Sequence, residues 1–441
     1  MSKSNFFGGL IKTNPTLPTA NSASAYGTAS GVWNLEEAAA FRKAGDWPVP
    51  ASPPGAPTIT GVTAGNAQVA VAFNANADNG GLNVTSFTAL ASSGQSASGS
   101  SSPITVTGLT NGTAITFTVT ATNASGTSSA SSASSSVTPV NPPRGLFAGG
   151  SSAGGILTNT IEYITISSTG NATDFGDLHE ALDRAGSGMA SSETRALFAG
   201  GRDSSSNNSR IDYVTIASTG NASDFGDLQN QRYWLAQCSN NTRAIFARGI
   251  GDQQSIDYVT IASTGNASDF DTVSQNVSDI VGTASPTRGV FAGGNSYDIT
   301  YVTIGTTGSH ADFGDYNVYD SSTGGVFSPS SPAAVSSETR GVFVGDSDFS
   351  SSVSKRMEYI TFSSTGNTTN FGNLANTGGR KAGVSSSVRG CYGGGKFSGN
   401  SSNVIEYITI ASTGNSSDFG DLTNTNSVWM SAGSSDHGGV Q

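Results

Sequence analysis

The stretch IDYVTIASTGNASDFGDL, Ile211 to Leu228, returns as IDYVTIASTGNASDF from Ile256 to Phe270, and looser copies lie before and after both. Its first half is β-branched and aromatic, with apolar residues at successive positions, as expected of a strand covered on both faces. STGN then supplies a turn, and SDFGDL reads as a short following strand. Aligning the turn glycines Gly170, Gly220, Gly265, Gly308, Gly366 and Gly414 gives six copies separated by 43 to 58 residues. Such a period marks repeated units, each of which buries its faces against its neighbours.

Each unit reads as four strands. In the second copy these are GSGMAS (Gly186 to Ser191), a small-residue strand suited to a crowded centre; TRALFAGG (Thr194 to Gly201), whose glycine pair allows a tight exit; then RIDYVTIAS and SDFGDL. Three aromatic positions follow the period. The first holds Tyr163, Tyr213, Tyr258, Tyr301, Tyr359 and Tyr407. The second holds Phe175, Phe225, Phe270, Phe313, Phe371 and Phe419, and the third Phe147, Phe198, Phe246, Phe291, Phe343 and Tyr392. Rings that recur in every unit are expected to pack units together, the alternative being a ligand platform. An arginine opens each second strand (Arg144, Arg195, Arg243, Arg288, Arg340, Arg389), and an acid usually precedes the repeated tyrosine (Glu162, Asp212, Asp257, Glu358, Glu406), so ion pairs are expected. A ring of arginines gripping an anionic sugar is the alternative. The segment SVWMSAGSSDHGGVQ matches the innermost strand of the other units, and it is expected to complete the first.

The 441 residues carry a net charge of -11, with 12% charged, 35% apolar and 57 glycines, a composition of short strands and turns. The acidic surface argues against nucleic acid as a partner. No apolar run is long enough to cross a membrane, and residues 1–18 lack the apolar core of a signal peptide. Cys238 and Cys391 occupy different repeat positions, and they are read as small packed residues without a disulfide or metal role.

Nothing in the sequence assembles a catalytic centre. His179, His310 and His437 are scattered over different repeat positions, which leaves a copper oxidase without its ligands. SDFGD superficially resembles a sialidase Asp-box but lacks its tryptophan. Asp177, Asp227, Asp315 and Asp421 are read instead as turn-stabilising side chains, with calcium as the alternative. No phosphate loop, GxSxG elbow or metal helix occurs. The chain is therefore not read as an enzyme, and neither metal nor cofactor is expected. The N-x-S/T triplets at Asn171, Asn221 and Asn266 sit inside the repeated turn.

The repeating R…hFhGG…I-Y…DFGDL pattern of residues 141–441 resembles the kelch motif, with phenylalanine replacing the usual tryptophan of the outer strand. The resemblance implies a six-bladed β-propeller closed by the strand near the C-terminus. ARG at Ala247 to Gly249 and VGD at Val344 to Asp346 depart from the glycine pair, and put those two tight exits in question. Residues 53–140, with their leading prolines, LTNGT loop, NASGTS turn and the single charge Asp78, resemble a fibronectin type III module, which implies a β-sandwich. Ile115 stands where that family has its corner tyrosine.

In residues 1–52, VWNLEEAAAFRKAGDWP reads as one short helix with Asn34 as N-cap, Glu37 as capping-box partner and Gly45 as its stop. Phe6, Phe7, Trp33, Leu35, Phe41 and Trp47 are too many large apolar residues for so small a piece, so docking to another protein is expected. The FFGG start, the SGVW-LEE helix ending in WP, the YVTIASTGNASDFGDL repeats and SSDHGG together resemble virion structural proteins of marine tailed phages, especially cyanophages. That resemblance implies a fibre or decoration protein on the extracellular phage particle, held to other virion proteins by residues 1–52.

Function is expected where the repeats differ. The loops joining second and third strands vary in length and charge: Ser151 to Thr160, Arg202 to Arg210, Ile250 to Ser255, Asn295 to Asp298, Asp346 to Arg356 and Lys396 to Asn403. The longest interval adds a connection from Tyr316 to Val335. Arg202, Arg210, Tyr297, Tyr316, Tyr319, Phe327, Phe349 and Phe397 are the candidate contacts to a host surface polysaccharide, because aromatic rings stack on sugars and polar groups bond their hydroxyls. A purely structural role of these loops, against neighbouring capsid or tail proteins, is the alternative.

Overall fold

The computed structural model describes residues 51–440, apart from 153, 274–275, 295, 317, 321–324, 328–331, 346–354, 377, 398–399 and 426–427. The expected helix after Asn34 and the proposed anchors Phe6, Phe7, Trp33, Leu35, Phe41 and Trp47 lie outside the described residues. All the described secondary structure is β. The chain divides into two compact units between Asn141 and Pro142.

In the first unit, β1 (Thr58–Gly65), β2 (Gln68–Asn74) and β5 (Ile104–Thr107) form one antiparallel sheet. β3 (Ser86–Ala91), β4 (Ser96–Gly99), β6 (Phe117–Asn123) and β7 (Gly126–Thr127) form the other, in the order β4-β3-β6-β7. Alternate residues of both point into a single core that includes Val69, Val71, Phe87, Val106, Phe117 and Val119. Ile115 is buried in that core, and its backbone bonds Val137. Beyond β7 the edge of β6 is covered by serines at every third position. Ser128, Ser131 and Ser134 each donate a backbone N–H to β6, and each accepts a β6 N–H on its hydroxyl. The hydroxyls thus take the place of strand carbonyls and leave no bare edge there.

Among its described residues the second unit contains, besides two small two-stranded hairpins, six sheets built on one plan. In the first, Thr173–Asp177, Thr160–Thr165, Arg144–Ala148 and Ser431–Ser434 lie side by side, so the innermost strand comes from the far end of the unit. Six apolar clusters each lie between two successive sheets, and one of them joins residues of the sixth sheet, such as Val384 and Phe419, to Phe147 and Ile166 of the first.

The repeated arginines do not pair with acids; among the described residues none of the six makes an ion pair. Each guanidinium lies over the repeated tyrosine of its own sheet, 4.3 to 5.0 Å from the ring centroid. Each also donates to a backbone carbonyl of the next sheet. Arg144 reaches Ile216, Arg195 Ile261, Arg243 Ile304, Arg288 Phe362, Arg340 Ile410 and Arg389 Ile166, at 2.5 to 3.0 Å. The last of these runs from the sixth sheet to the first. The tyrosine itself stands edge-on to the outer phenylalanine, with centroids 5.8 to 6.1 Å apart.

A second set of ties runs the other way at the rim. The N–H of each turn glycine donates to the outer phenylalanine carbonyl of the preceding sheet, from Gly220 to Phe175 onward and from Gly170 back to Phe419. Beside it the turn asparagine accepts the N–H two residues beyond that phenylalanine: Asn221 from Asp177, Asn266 from Asp227, Asn367 from Asp315, Asn415 from Asn373 and Asn171 from Asp421. The stabilising side chain is thus the asparagine, and the expected aspartates serve through their backbone. The acids before the tyrosine also bridge sheets. Asp212, Asp257, Glu406 and Glu162 accept the N–H of His179, Gln229, Asn376 and Thr423 from the preceding sheet. Arg232 at 2.7 Å from Asp257 and Lys381 at 3.6 Å from Glu406 then neutralise two of these buried carboxylates.

Three expectations need correction or completion. The second sheet lacks a regular innermost strand: only Ser187–Gly188 is extended, and it pairs in parallel with Ala236–Ser239 of the next sheet. Gly188 has φ +106, and a Cβ there would lie 2.2 Å from the Gln237 carbonyl, so this crossing needs glycine. The ARG exit is nevertheless tight, because Arg248 (φ 58) and Gly249 (φ 116) reproduce Gly200 (φ 64) and Gly201 (φ 106). Arginine tolerates this left-handed geometry at a cost of about 1 to 2 kcal/mol. At the fifth exit Gly345 has φ 124, and Asp346 lies outside the described residues. Cys238 and Cys391 are buried free thiols, which burial makes harder to ionise.

At the far end of the innermost strands, His437 is 1% exposed. Its Nε2 faces the Ser191 carbonyl and the Ser239 hydroxyl, and its Nδ1 accepts the N–H of Gly439. Both nitrogens are used by the neutral ring, and burial lowers the pKa to about 4. The unfolded chain, with a histidine pKa near 6.5, binds this proton first as pH falls. Stability contributed by the neutral ring is therefore complete above about pH 6.5 and is lost towards pH 4, by about 3 kcal/mol. Urea unfolding of wild type and His437→Asn at pH 7.5 and 4.5 should show a steeper acid loss in wild type; equal slopes would refute the assignment.

Two further outcomes follow from the inter-sheet ties. Arg389→Met removes a charged hydrogen bond and a ring contact, and should cost about 2 to 3 kcal/mol in denaturant unfolding, as should Arg195→Met in its equivalent setting. Removing Val428 to Gln441 takes away the strand paired with Arg144–Ala148 and should abolish cooperative unfolding of the six sheets; an unchanged melting transition would show that pairing to be dispensable.

Candidate functional site

The variable loops and the connections between sheets meet on one side of the second unit. The residue just past the glycine exit of one sheet pairs with the connection arriving from the sheet before it: Ser151 with Val428, Arg202 with Asp183, Ile250 with Tyr233 and Lys396 with Gly379. The exits make these pairings possible, since their left-handed residues turn the chain within two positions.

The residue that follows each of those connection positions is itself left-handed without being glycine. Arg184 (φ 56), Trp234 (φ 56), Arg380 (φ 63) and Trp429 (φ 57) share this geometry, and Asp279 (φ 63) holds the same register before its innermost strand. The sixth equivalent, Ser331, lies outside the described residues. Backbone hydrogen bonds pass along the set: Asp279 N–H to the Trp234 carbonyl, Trp234 to Arg184, Arg184 to Trp429 and Trp429 to Arg380, at 2.9 to 3.3 Å.

Their side chains converge. The Arg184 guanidinium lies 4.4 Å from the Trp429 ring centroid and 5.1 Å from that of Trp234, and Arg380 lies 4.1 Å from Trp429. Arg202, from the loop above, reaches to 5.7 Å over Tyr233, which is tilted against Trp234. Asp183 sits 3.7 Å from Arg184, and burial raises its pKa although Arg184 opposes the shift. Burial likewise lowers the pKa of Arg380, opposed by the charge of Asp279. All five side chains are half-buried, so the cluster is neither a sealed core nor a loose surface.

The loop residues expected to bind are dispersed by comparison. Arg202 belongs to the cluster's upper edge. Arg210 opens a third strand, with Nη1 3.8 Å from Glu180. Tyr297 is 46% exposed and stands in its loop as expected. Tyr316 is corrected: it is 2% exposed and edge-on to Phe343, so hydrophobic burial has drawn its ring into the core between the fourth and fifth sheets. Tyr319 and Phe327 belong to a small hairpin, Val318–Asp320 with Gly325–Phe327, and Phe397 to the two-residue strand Lys396–Phe397; their side chains and all of Phe349 lie outside the described residues.

Sequence reading passed over Arg184, Trp234, Asp279, Arg380 and Trp429. The available signal was variation at constant register: DRAG, YWLA, SDIV, GRKA and VWMS occupy one place in an otherwise repetitive chain. Among the described residues no group of three or more His, Cys, Asp or Glu could hold a metal ion. Neither a protein-family model nor a curated protein matches the chain.

Proposed function

We propose that residues 141–441 form a six-bladed kelch-like β-propeller closed by Ser431–Ser434, and that residues 53–140 form a fibronectin type III-like β-sandwich. Strand order β1-β2-β5 against β4-β3-β6-β7 supports the sandwich. Ties from Arg389 to Ile166 and from Gly170 to Phe419 support the closed ring. The chain is read as a phage virion structural protein, a tail fibre or capsid-attached fibre. It is anchored to other virion proteins through residues 1–52 and offers the propeller to a host surface glycan.

The observation that carries this reading is the division of labour within the repeat. Residues that recur are spent on joining sheets, while those that vary are gathered on the side where loops and connections pair. A scaffold of this kind holds changeable side chains at fixed positions, as a recognition surface requires. Binding of the full chain to host cells and to their purified surface polysaccharide tests it. Saturable retention is expected, weakened about tenfold by Arg202→Ala. Failure to bind either at saturation would overturn the attachment role; a particle that lacks the protein, adsorbs normally and loses stability would assign decoration instead.

A further inference from the structure

The Arg/Trp cluster on the connection side has three features that a packing role leaves unexplained. The first is conformational: five non-glycine residues hold φ between 56 and 63, a region unfavourable to side chains with a Cβ. Glycine would remove that cost, yet the chain places arginine, tryptophan and aspartate there. Strain kept in large polar side chains is commonly tied to function.

The second feature is an excess of donors. Among the described residues the indole N–H groups of Trp234 and Trp429 and the Nε–H of Arg184 are buried without a hydrogen-bond acceptor. All three groups can only donate. Leaving a buried donor unpaired is unfavourable, so a cavity lined by all three residues is a place for acceptor oxygens. The third feature is size. These residues, with Asp279, Arg380 and Met430, line a cavity of about 20 Å³, room for one water or one oxygen-bearing group but not for a sugar ring.

We propose that this cluster binds the carboxylate of an acidic sugar, with the carboxylate oxygens at the mouth of the cavity and the sugar ring lying across the half-buried indoles. The Arg184 guanidinium lies over both indoles and that of Arg380 over Trp429, and both arginines line the cavity. A carboxylate accepts without donating, which matches the three donors, whereas a hydroxyl group brings a donor of its own. The aliphatic face of the sugar covers the exposed ring edges. This assignment rests on the glycan-attachment reading and narrows it to a polymer containing uronic or other carboxylated sugars.

The test uses the indole N–H signals of the full chain in amide-detected NMR. The chain has four tryptophans, and Trp234→Phe and Trp429→Phe identify the two signals of the cluster. Glucuronate should shift both in a saturable manner and glucose should not, with the shift weakened by added salt. Arg184→Gln should weaken glucuronate binding about tenfold or more while the melting transition stays intact. Unmoved cluster signals at saturating glucuronate, or equal shifts with glucose, overturn the proposal. Cell binding separates it from the reading beneath it. Host cells bound equally well by wild type, Trp429→Phe and Arg184→Gln would remove the cluster and keep attachment; glucuronate shifts without any cell binding would keep the site and remove attachment.

Discussion

The six-sheet unit depends on an arginine that faces two ways. Its guanidinium rests on the tyrosine of its own sheet and donates to a carbonyl of the next, so each sheet holds its neighbour by a charge-assisted bond whose cost of burial the aromatic ring reduces. Because the residue is repeated, the tie is repeated, and the sixth arginine reaches the first sheet. The outer rim is tied in the opposite sense, through the turn glycine and asparagine. Each pair of neighbouring sheets is thereby joined twice, through the arginine that opens the second strand and along the outer strand, and cannot tilt apart without breaking both.

Apolar clusters fill every inter-sheet space, and most ionisable groups inside have a named partner: Arg232 with Asp257, Lys381 with Glu406, Arg356 with Glu358 at 2.6 Å. Buried pairs of this kind add little net stability, yet removing one member leaves an uncompensated charge. They act mainly to hold register, since Asp257 and Glu406 each also accept a backbone N–H from the adjacent sheet. Other variable side chains take no part in these ties, and the geometry of the connections gathers several of them around Arg184, Trp234 and Trp429.

Much of the β architecture was legible in the repeat. The tyrosine, phenylalanine and arginine positions stand out because each sheet must bury the same two faces, and burial of a residue type at a fixed period is a local property of sequence. Partners were less legible. Nothing local distinguishes an arginine that pairs with the acid in its own unit from one that bonds a carbonyl some 70 residues away, as Arg144 does with Ile216. Tyr316 read as a loop ring and proved to be core, because its burial depends on Phe343 in the following sheet. The innermost strand at Gly186 to Ser191 was read as regular, whereas the intrusion of Gln237 and the close crossing at Gly188 are made by segments 49 residues apart that meet only in the folded unit.

By itself the sequence determined the repeat, its strand content, the residues that pack between units and the places where units are free to differ. Only the tertiary structure decided which variable residues stand together. Arg184, Trp234, Asp279, Arg380 and Trp429 are spaced about 45 to 100 residues apart along the chain, and no periodic pattern links their identities. They meet because inter-sheet ties bring successive connections to one side, and because a shared left-handed turn aims each side chain at the same cavity.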